Sequence, residues 1–475
     1  MDAFCKEAMK RLPLAESLMT LWAYVFSYQR LQAIWEEHRG RCYESVISFP
    51  VMVRLVADAL LNYNSGRESF RKGIEKGVLV ASVQAAYKKL GNIPRALSEA
   101  FLRVVTHALR ETFPSWAEWK NPTSLSAFRI VIYDGKAIKK VAKRLKPLRG
   151  LPGGMLGGRA LVAIDWATGL AVAMRADEDG DANDVKYVKE LAPQVAQELP
   201  GPRLSVSDCG FCDLEQPRHF TAAEGDHFLF RQHPKLKFHA DAAEKSRSGA
   251  LATGEKYIET WGWIGSEKDA RRRRVRRIEL LLATGKSVVL FTDLLDADRY
   301  PAIDLLWVYR ERWEIERLFQ KVTEVFGLSH LIGGTPSACI FQFAFCMVLY
   351  NTIQVIRGYI AKTQNREPSE VSSEMLFRDV IRQLIAWNEF IPAQTTEEYF
   401  AEPPTLPDTQ ALLEDRLGQV WSSTWLAAPS QPLHRVTLKK RSRSHNSVYR
   451  ILHGPPPKKK RTNLAKRTKQ RGLQQ

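Results

Sequence analysis

Through most of the first 118 residues, apolar side chains recur every three or four positions. "VMVRLVADALLNY" and "PRALSEAFLRVVTHAL" carry the repeat, and it breaks at Pro50, Gly91 and Pro114. That periodicity predicts a helical N-terminal module over 1–118, although an amphipathic stripe of this kind is usually core and names no activity. Near residue 126 the helical period gives way to β-type runs. "AFRIVIY" (127–133) predicts a strand ending at Asp134-Gly135, and "RALVAID" (159–165) and "LAVAMR" (170–175) predict a hairpin whose turn ends at Gly169. In "NDVKYVKELAPQVAQEL" (183–199), Val185, Val188, Leu191 and Val195 return to helical spacing behind a cap at Asn183. "RLSVS" is then a short strand that delivers Asp208 at its end. The order β-β-β-α-β predicts an α/β layer with a mixed sheet over 119–208.

Residues 209–305 hold strand-like pieces such as "HFLFR" (227–231) and "KSVVLFT" (286–292), and predict a β-rich insertion. The α/β domain resumes over 306–360 with a helix containing "YRERWEIERLFQK" (309–321). A less regular helical region follows over 361–430, then a tail over 431–475, and no internal repeat is visible. The longest apolar run, "ACIFQFAFCMVLY" (338–350), contains Gln342 and falls short of the roughly 20 residues of a membrane span. It predicts a buried helix, with no membrane partner.

Charge changes the picture at one end only. The chain of 475 residues has a net charge of +18, but 14 Lys or Arg and no Asp or Glu lie between Gln431 and Gln475, so 56 basic residues face 52 acidic ones elsewhere. The body is near neutral, and the tail reads as a disordered segment suited to non-specific phosphate contact. "MDAFCKEAMKRLPL" does not read as a secretion signal, so the expected location is the cytoplasm, at the nucleoid. Six cysteines do not make a disulfide scaffold, and the lone Cys209-x-x-Cys212 lacks a second pair at zinc spacing. "GLPGGMLGG" and "TGKS" (284–287) both miss the pattern of a phosphate-binding loop, so no ATP use is expected.

Candidate chemistry lies in three acidic residues. Asp134 and Asp208 end predicted strands that could bring both carboxylates to one sheet edge. At 100° per residue, Tyr309, Arg312 and Gln320 fall within about 40° of Glu316, while Ile315, Leu318, Phe319, Val322 and Phe326 form an apolar stripe that would dock the helix. An ordinary Arg312–Glu316 ion pair would explain that stripe alone. Three crowded carboxylates, however, call for a cation, and hard oxygen donors that leave room for phosphates suit Mg²⁺.

"YDG" (133–135), "SDCGF" (207–211) and "YRERWEIERLFQK" (309–321) together resemble, in order, the three signatures of DDE transposases from bacterial insertion sequences, of the cut-and-paste group with a Tyr-Arg-Glu-Lys signature. The resemblance runs from the N-terminal helices to about residue 360. It implies a ribonuclease-H-like core with Asp134, Asp208 and Glu316 as a triad binding two Mg²⁺ ions, for which Mn²⁺ can substitute. It also implies cleavage at terminal inverted repeats, with the helical module over 1–118 binding the DNA ends, a hairpin intermediate, joining to target DNA, and a homodimer on paired ends. Tyr309 and Arg312 match phosphate-contacting positions, and Trp313 falls where the family has an aromatic near the DNA. Arg231 resembles an arginine that the family often carries past its second aspartate, with a plain strand-end arginine as the competing reading. Position 323 is Thr where the family has Lys; Lys321 stands nearby, about 140° from Glu316. Two basic runs, "RRRRVRR" (271–277) and "KAIKKVAKRLKPLR" (136–149), are read as DNA-contacting surfaces. A DNA-binding relic without cleavage and a metal-dependent nuclease without strand transfer remain the alternatives.

Overall fold

The computed structural model describes residues 3–42, 46–63, 65–114, 121–139, 141–427 and 445–454. Seven helices come first: α1 (Ala3–Lys10), α2 (Pro13–Val25), α3 (Tyr28–His38), α4 (Phe49–Asp58), α5 (Gly66–Glu75), α6 (Val83–Gly91) and α7 (Arg95–Thr112). Ser27, Ser48, Ser65 and Ser82 each cap one of them, accepting from the backbone N–H three residues on. Pro50, expected as a break, sits in the first turn of α4, where its missing N–H has no partner to lose.

The sheet is built from β1 (Arg129–Ala137), β3 (Arg159–Asp165) and β4 (Leu170–Asp177), with the three-residue β2 (Gly154–Leu156) outside it. Helix α8 (Val188–Glu198) crosses to β5 (Arg203–Ser207), and α9 (Gln216–Phe220) leads to β6 (His227–Arg231). The strand order β4-β3-β1-β5-β6, with β3 antiparallel to β1, β5 parallel to β1 and β6 parallel to β5, is a ribonuclease-H-like arrangement. β7 (Phe238–Ala240), β8 (Arg247–Ala250), β9 (Lys256–Ile264), β10 (Arg273–Leu281) and β11 (Ser287–Thr292) extend the same sheet, joining it where β11 pairs antiparallel with β6. "HFLFR", assigned above to the insertion, is thus the fifth strand of the core, and the inserted strands begin after it. Period-two alternation identifies a strand but not its neighbours.

Alternation sorts β1 onto two layers. Val131 and Tyr133 pack with Val188, Leu191 and Val195 of α8, while Ile130 and Ile132 face the larger core on the other side. That larger core is centred on α12 (Pro336–Thr363), preceded by α10 (Ala302–Glu311) and α11 (Trp313–Glu324). α12 has the length and composition to cross a membrane, but its apolar residues are buried inside the protein. Asn351 fixes its register: its Nδ2 donates to Thr106 Oγ1 (2.8 Å) and Ala171 O (2.9 Å), and its Oδ1 accepts from Ala171 N (3.0 Å). Asn351→Ala strands the Ala171 backbone groups, and we expect a loss of about 2–3 kcal/mol, checked by denaturant unfolding.

α13 (Ser373–Phe390), α14 (Ala393–Tyr399) and α15 (Leu406–Gly418) follow. Phe101, Phe341, Phe345 and Leu413 share one core, so the helices on both sides of the sheet region in sequence pack as one layer. One piece of the tail expected to be disordered is folded: β12 (His445–Ser447) pairs parallel with β2, and α16 (Val448–His453) buries Val448. Arg450 Nε reaches Asp179 Oδ2 at 2.9 Å, so this basic segment finds acidic partners that its local sequence lacks. The rest of the tail, 431–444 and 455–475, lies outside the described residues.

Candidate active site

The parallel strands place the candidate carboxylates. Tyr133 of β1 pairs with Ser207 of β5, and Ser207 with Phe230 of β6. One residue further along each strand are Asp134, Asp208 and Arg231, side by side at one sheet edge. Their parity is that of Ile132, Val206 and Leu229, which face the larger core, so all three residues belong to the face on which α10–α12 pack. Asp134 Oδ1 accepts from Gly135 N and Asp208 Oδ1 from Gly210 N, each at 2.8 Å.

Arg312 joins this edge to Glu316. It is 6% exposed, with Nη2 at 3.2 Å from Glu316 Oε1 and Nη1 at 3.8 Å from Asp134 Oδ2. Burial pushes the Asp134 carboxyl up to about 7; Arg312 and the Gly135 N–H oppose the rise, and Asp208 and Glu316 add to it. All three acidic residues therefore share one electrostatic site. Tyr309 belongs to it too: burial raises its pKa, with Arg312 and Arg231 opposing and Asp208 contributing. Its buried hydroxyl finds no partner at hydrogen-bonding geometry. The Arg312 guanidinium lies 5.7 Å from the ring centres of both Tyr309 and Trp313, and Trp313 itself is 46% exposed.

"YRERWEIERLFQK" is not one uninterrupted helix. α10 ends at Glu311 and α11 starts at Trp313, with Arg312 N bonded to Tyr309 O and Ile315 N to Arg312 O, each one residue tighter than an α-helical step. Arg312 keeps helical dihedrals through this join, so Tyr309 stays beside it. Lys321 does not meet the triad. Burial drops its pKa to about 8; Arg357 and Arg317 lower it further, Glu314 and Glu374 oppose, and neither aspartate nor Glu316 is among these neighbours. Thr323 donates its hydroxyl to Phe319 O at 2.7 Å.

Lys136 was missed as an individual. It shares Asp134's face of β1, lies 5.4 Å from the Phe319 ring centre, and has its pKa lowered by burial and Lys139 while Asp134 and Glu324 oppose. A cation from β1 thus stands beside the α11 segment that holds Thr323. The signal was its place two residues after Asp134, which becomes meaningful only once α11 is known to cover that face. Gly135 has a local reason: a Cβ there would sit 1.6 Å from Asp184 Oδ2, whose carboxylate is held by Arg159 Nε at 2.9 Å.

The 271–277 arginines do not form a free basic stripe. Arg272 stacks on Trp263 at 4.4 Å, Arg273 donates to Thr221 Oγ1 at 2.8 Å, and Arg274 pairs with Glu244. Arg276 is fully buried against Glu259 and the Tyr300 carbonyl, while Arg271 and Arg277 pair with Asp269 and Glu279. Partners distant in sequence account for most of this run, so charge density alone misread it.

Three carboxylates offer the hard oxygen donors of a divalent-cation site, and a cation would reverse the upward push on Asp134. As placed, no three acidic, His or Cys side chains among the described residues converge closely enough to hold an ion, because Arg312 fills the gap between Asp134 and Glu316. The donors fit a divalent cation in type and charge.

Residues 129–352 match the family model of the transposase DDE domain, a span that contains all three carboxylates and the inserted strands. Over those residues the chain is similar to the transposase DDE domain. A relative in Synechocystis sp., whose name gives it as the inferred transposase of insertion sequence element IS4SA, is 23% identical over 177 residues. That match takes in 37% of this chain and spans about half (47%) of the relative's length. The structure is also similar to that of the piggyBac transposase in a synaptic complex with hairpin DNA, at a TM-score of 0.36 and 11% identity, over 86% of this chain and 87% of that one.

Proposed function

We propose that the protein is the DNA transposase of an insertion sequence, cutting at terminal inverted repeats and joining the freed ends to target DNA. The observation that carries this reading is the side-by-side register of Asp134 and Asp208 at the sheet edge, with Arg312 linking Asp134 to Glu316. Every step would be an in-line displacement at phosphorus, so one site could serve cutting, hairpin formation, hairpin opening and joining. Divalent cations, Mg²⁺ or Mn²⁺, held by Asp134, Asp208 and Glu316 would supply activation of the attacking oxygen and stabilisation of the leaving oxygen.

The remaining residues position DNA in this reading. Arg231 and Arg312 offer guanidinium groups to phosphate oxygens, and Tyr309 a hydroxyl beside Arg312. Trp313 is exposed enough to stack on a base extruded during a hairpin step. Lys136 supplies a cation near position 323, and Lys136→Ala is expected to weaken binding of cleaved ends roughly tenfold, with a shallower salt dependence in a filter-binding titration. Two ends held together imply a homodimer acting in the cytoplasm at the nucleoid, without ATP.

Incubating the protein and Mg²⁺ with a pre-cut duplex bearing the terminal repeat, plus a supercoiled target plasmid, tests the reading. Covalently joined products support a transposase. Cut products that are never joined would instead establish a nuclease.

A further inference from the structure

We propose that Lys321 of α11 and a polar stripe of α12, formed by Tyr350, Gln354 and Arg357, make an internal site for one small oxyanion of the phosphate type. α12 is apolar along most of its length, yet these three residues stand at i, i+4 and i+7, on one side of the helix. Gln354 is 1% exposed, and neither its Nε2 nor its Oε1 meets a hydrogen-bonding group among the described residues. Arg357 is 6% exposed and its Nε is equally without a partner. No carboxylate among the described residues forms an ion pair with it; Glu314 acts on it only at longer range. A guanidinium buried to this degree is costly unless an anion faces it.

A second cation is carried to the same place. The Lys321 carbonyl accepts from Phe326 N at 3.1 Å, and the Phe326 ring centre lies 5.7 Å from that of Tyr350 and 4.5 Å from that of Phe377 on α13. Three helices therefore meet around Lys321, where burial and then the Arg357 charge lower its pKa. The acids nearby are engaged with other arginines: Glu314 pairs with Arg317, and Glu374 Oε1 accepts from Arg378 Nη2 at 2.7 Å. Two cations drawn together in a buried place, with no acid of their own, call for an anion. A tetrahedral oxyanion suits the donors, since the guanidinium offers a fork of N–H groups, the ammonium another donor, and Gln354 an amide N–H. The burial of Gln354 and Arg357 keeps the backbone of a duplex away, which leaves an ion free in solution as the source. Bound there, it would tie α11, which carries Glu316, to α12, from a position about 140° around α11 from Glu316 itself.

The test uses the full chain without DNA, and inorganic phosphate as the probe, against chloride at matched ionic strength. Phosphate is expected to raise the melting temperature of wild type by several degrees, saturably, while chloride does not. Lys321→Met keeps an apolar stem and removes the charge, so it should bind phosphate roughly tenfold more weakly. In chloride it should melt no lower than wild type, because it relieves the crowding of two cations, whereas a purely structural lysine would be missed under both conditions. Arg357→Met should act in the same two directions. Equal effects of phosphate and chloride on wild type, or phosphate binding unchanged in Lys321→Met, would overturn the site and make ordered water the partner of Gln354 and Arg357. Displacement of the phosphate by a short duplex at stoichiometric amounts would overturn the assignment to an ion free in solution. None of these readouts involves cutting, so the site stands or falls apart from the catalytic proposal.

Discussion

Asp134→Asn is expected to abolish DNA cleavage while stabilising the metal-free protein above neutral pH. Asp134 sits with its folded pKa raised from the ordinary carboxylate value to about 7, first by burial and then by Asp208 and Glu316. Between about pH 4 and 7 the native state holds a proton there that the unfolded state has released, so wild-type stability falls as pH rises through that window. Asparagine keeps an oxygen for the Gly135 N–H and carries no charge, which removes the dependence. The gain should be absent near pH 4 and reach roughly 2–4 kcal/mol above pH 7, read from urea unfolding in EDTA across that range. Equal pH dependence in mutant and wild type would show that Asp134 is not the strained group. Loss of activity together with a gain in stability is the pattern of a residue kept for chemistry.

Arg312→Ala should act in the opposite direction on the metal-free protein. The guanidinium is buried between Asp134 and Glu316, and removing it leaves two carboxylates and the Tyr309 hydroxyl facing one another. Because Glu316 is partly open to solvent, we expect a loss of about 2 kcal/mol rather than the full cost of breaking a buried pair. The same substitution vacates the gap that keeps the carboxylates from a shared cation. Millimolar Mg²⁺ should therefore raise the melting temperature of Arg312→Ala by several degrees more than that of wild type. A smaller Mg²⁺-induced rise in the variant would contradict the view that Arg312 and a cation compete for one place. DNA binding should weaken in parallel, since Arg312 is also a proposed phosphate contact.

The catalytic strands were legible because β1, β3 and β4 are short apolar runs rich in strand-forming residues and bounded by turn signals, and Asp134 lies within β1 while Asp208 directly follows β5. β2 and β12 were not, being three residues each with no pattern to display. The break at Arg312 was hidden because both flanking segments are helical and its own dihedrals are too. Lys321 and the 271–277 arginines show the limit of reading charge along a line. Lys321 turns toward Arg357 and Glu374, and Arg274 and Arg276 meet Glu244 and Glu259, partners that only the fold brings near. Lys136 shows the converse, a cation whose place beside Asp134 needed both strand parity and the position of α11.

Cleavage of labelled DNA carrying the element's terminal repeats, with Mg²⁺, comparing wild type with Glu316→Ala, tests the central claim most directly. Cutting at the repeat boundary by wild type that vanishes in the variant, with DNA binding retained, is the predicted result. Cutting that persists in Glu316→Ala would contradict the triad, and binding without cutting by both proteins, under conditions in which a related active enzyme cuts, would make the protein a DNA-binding relic.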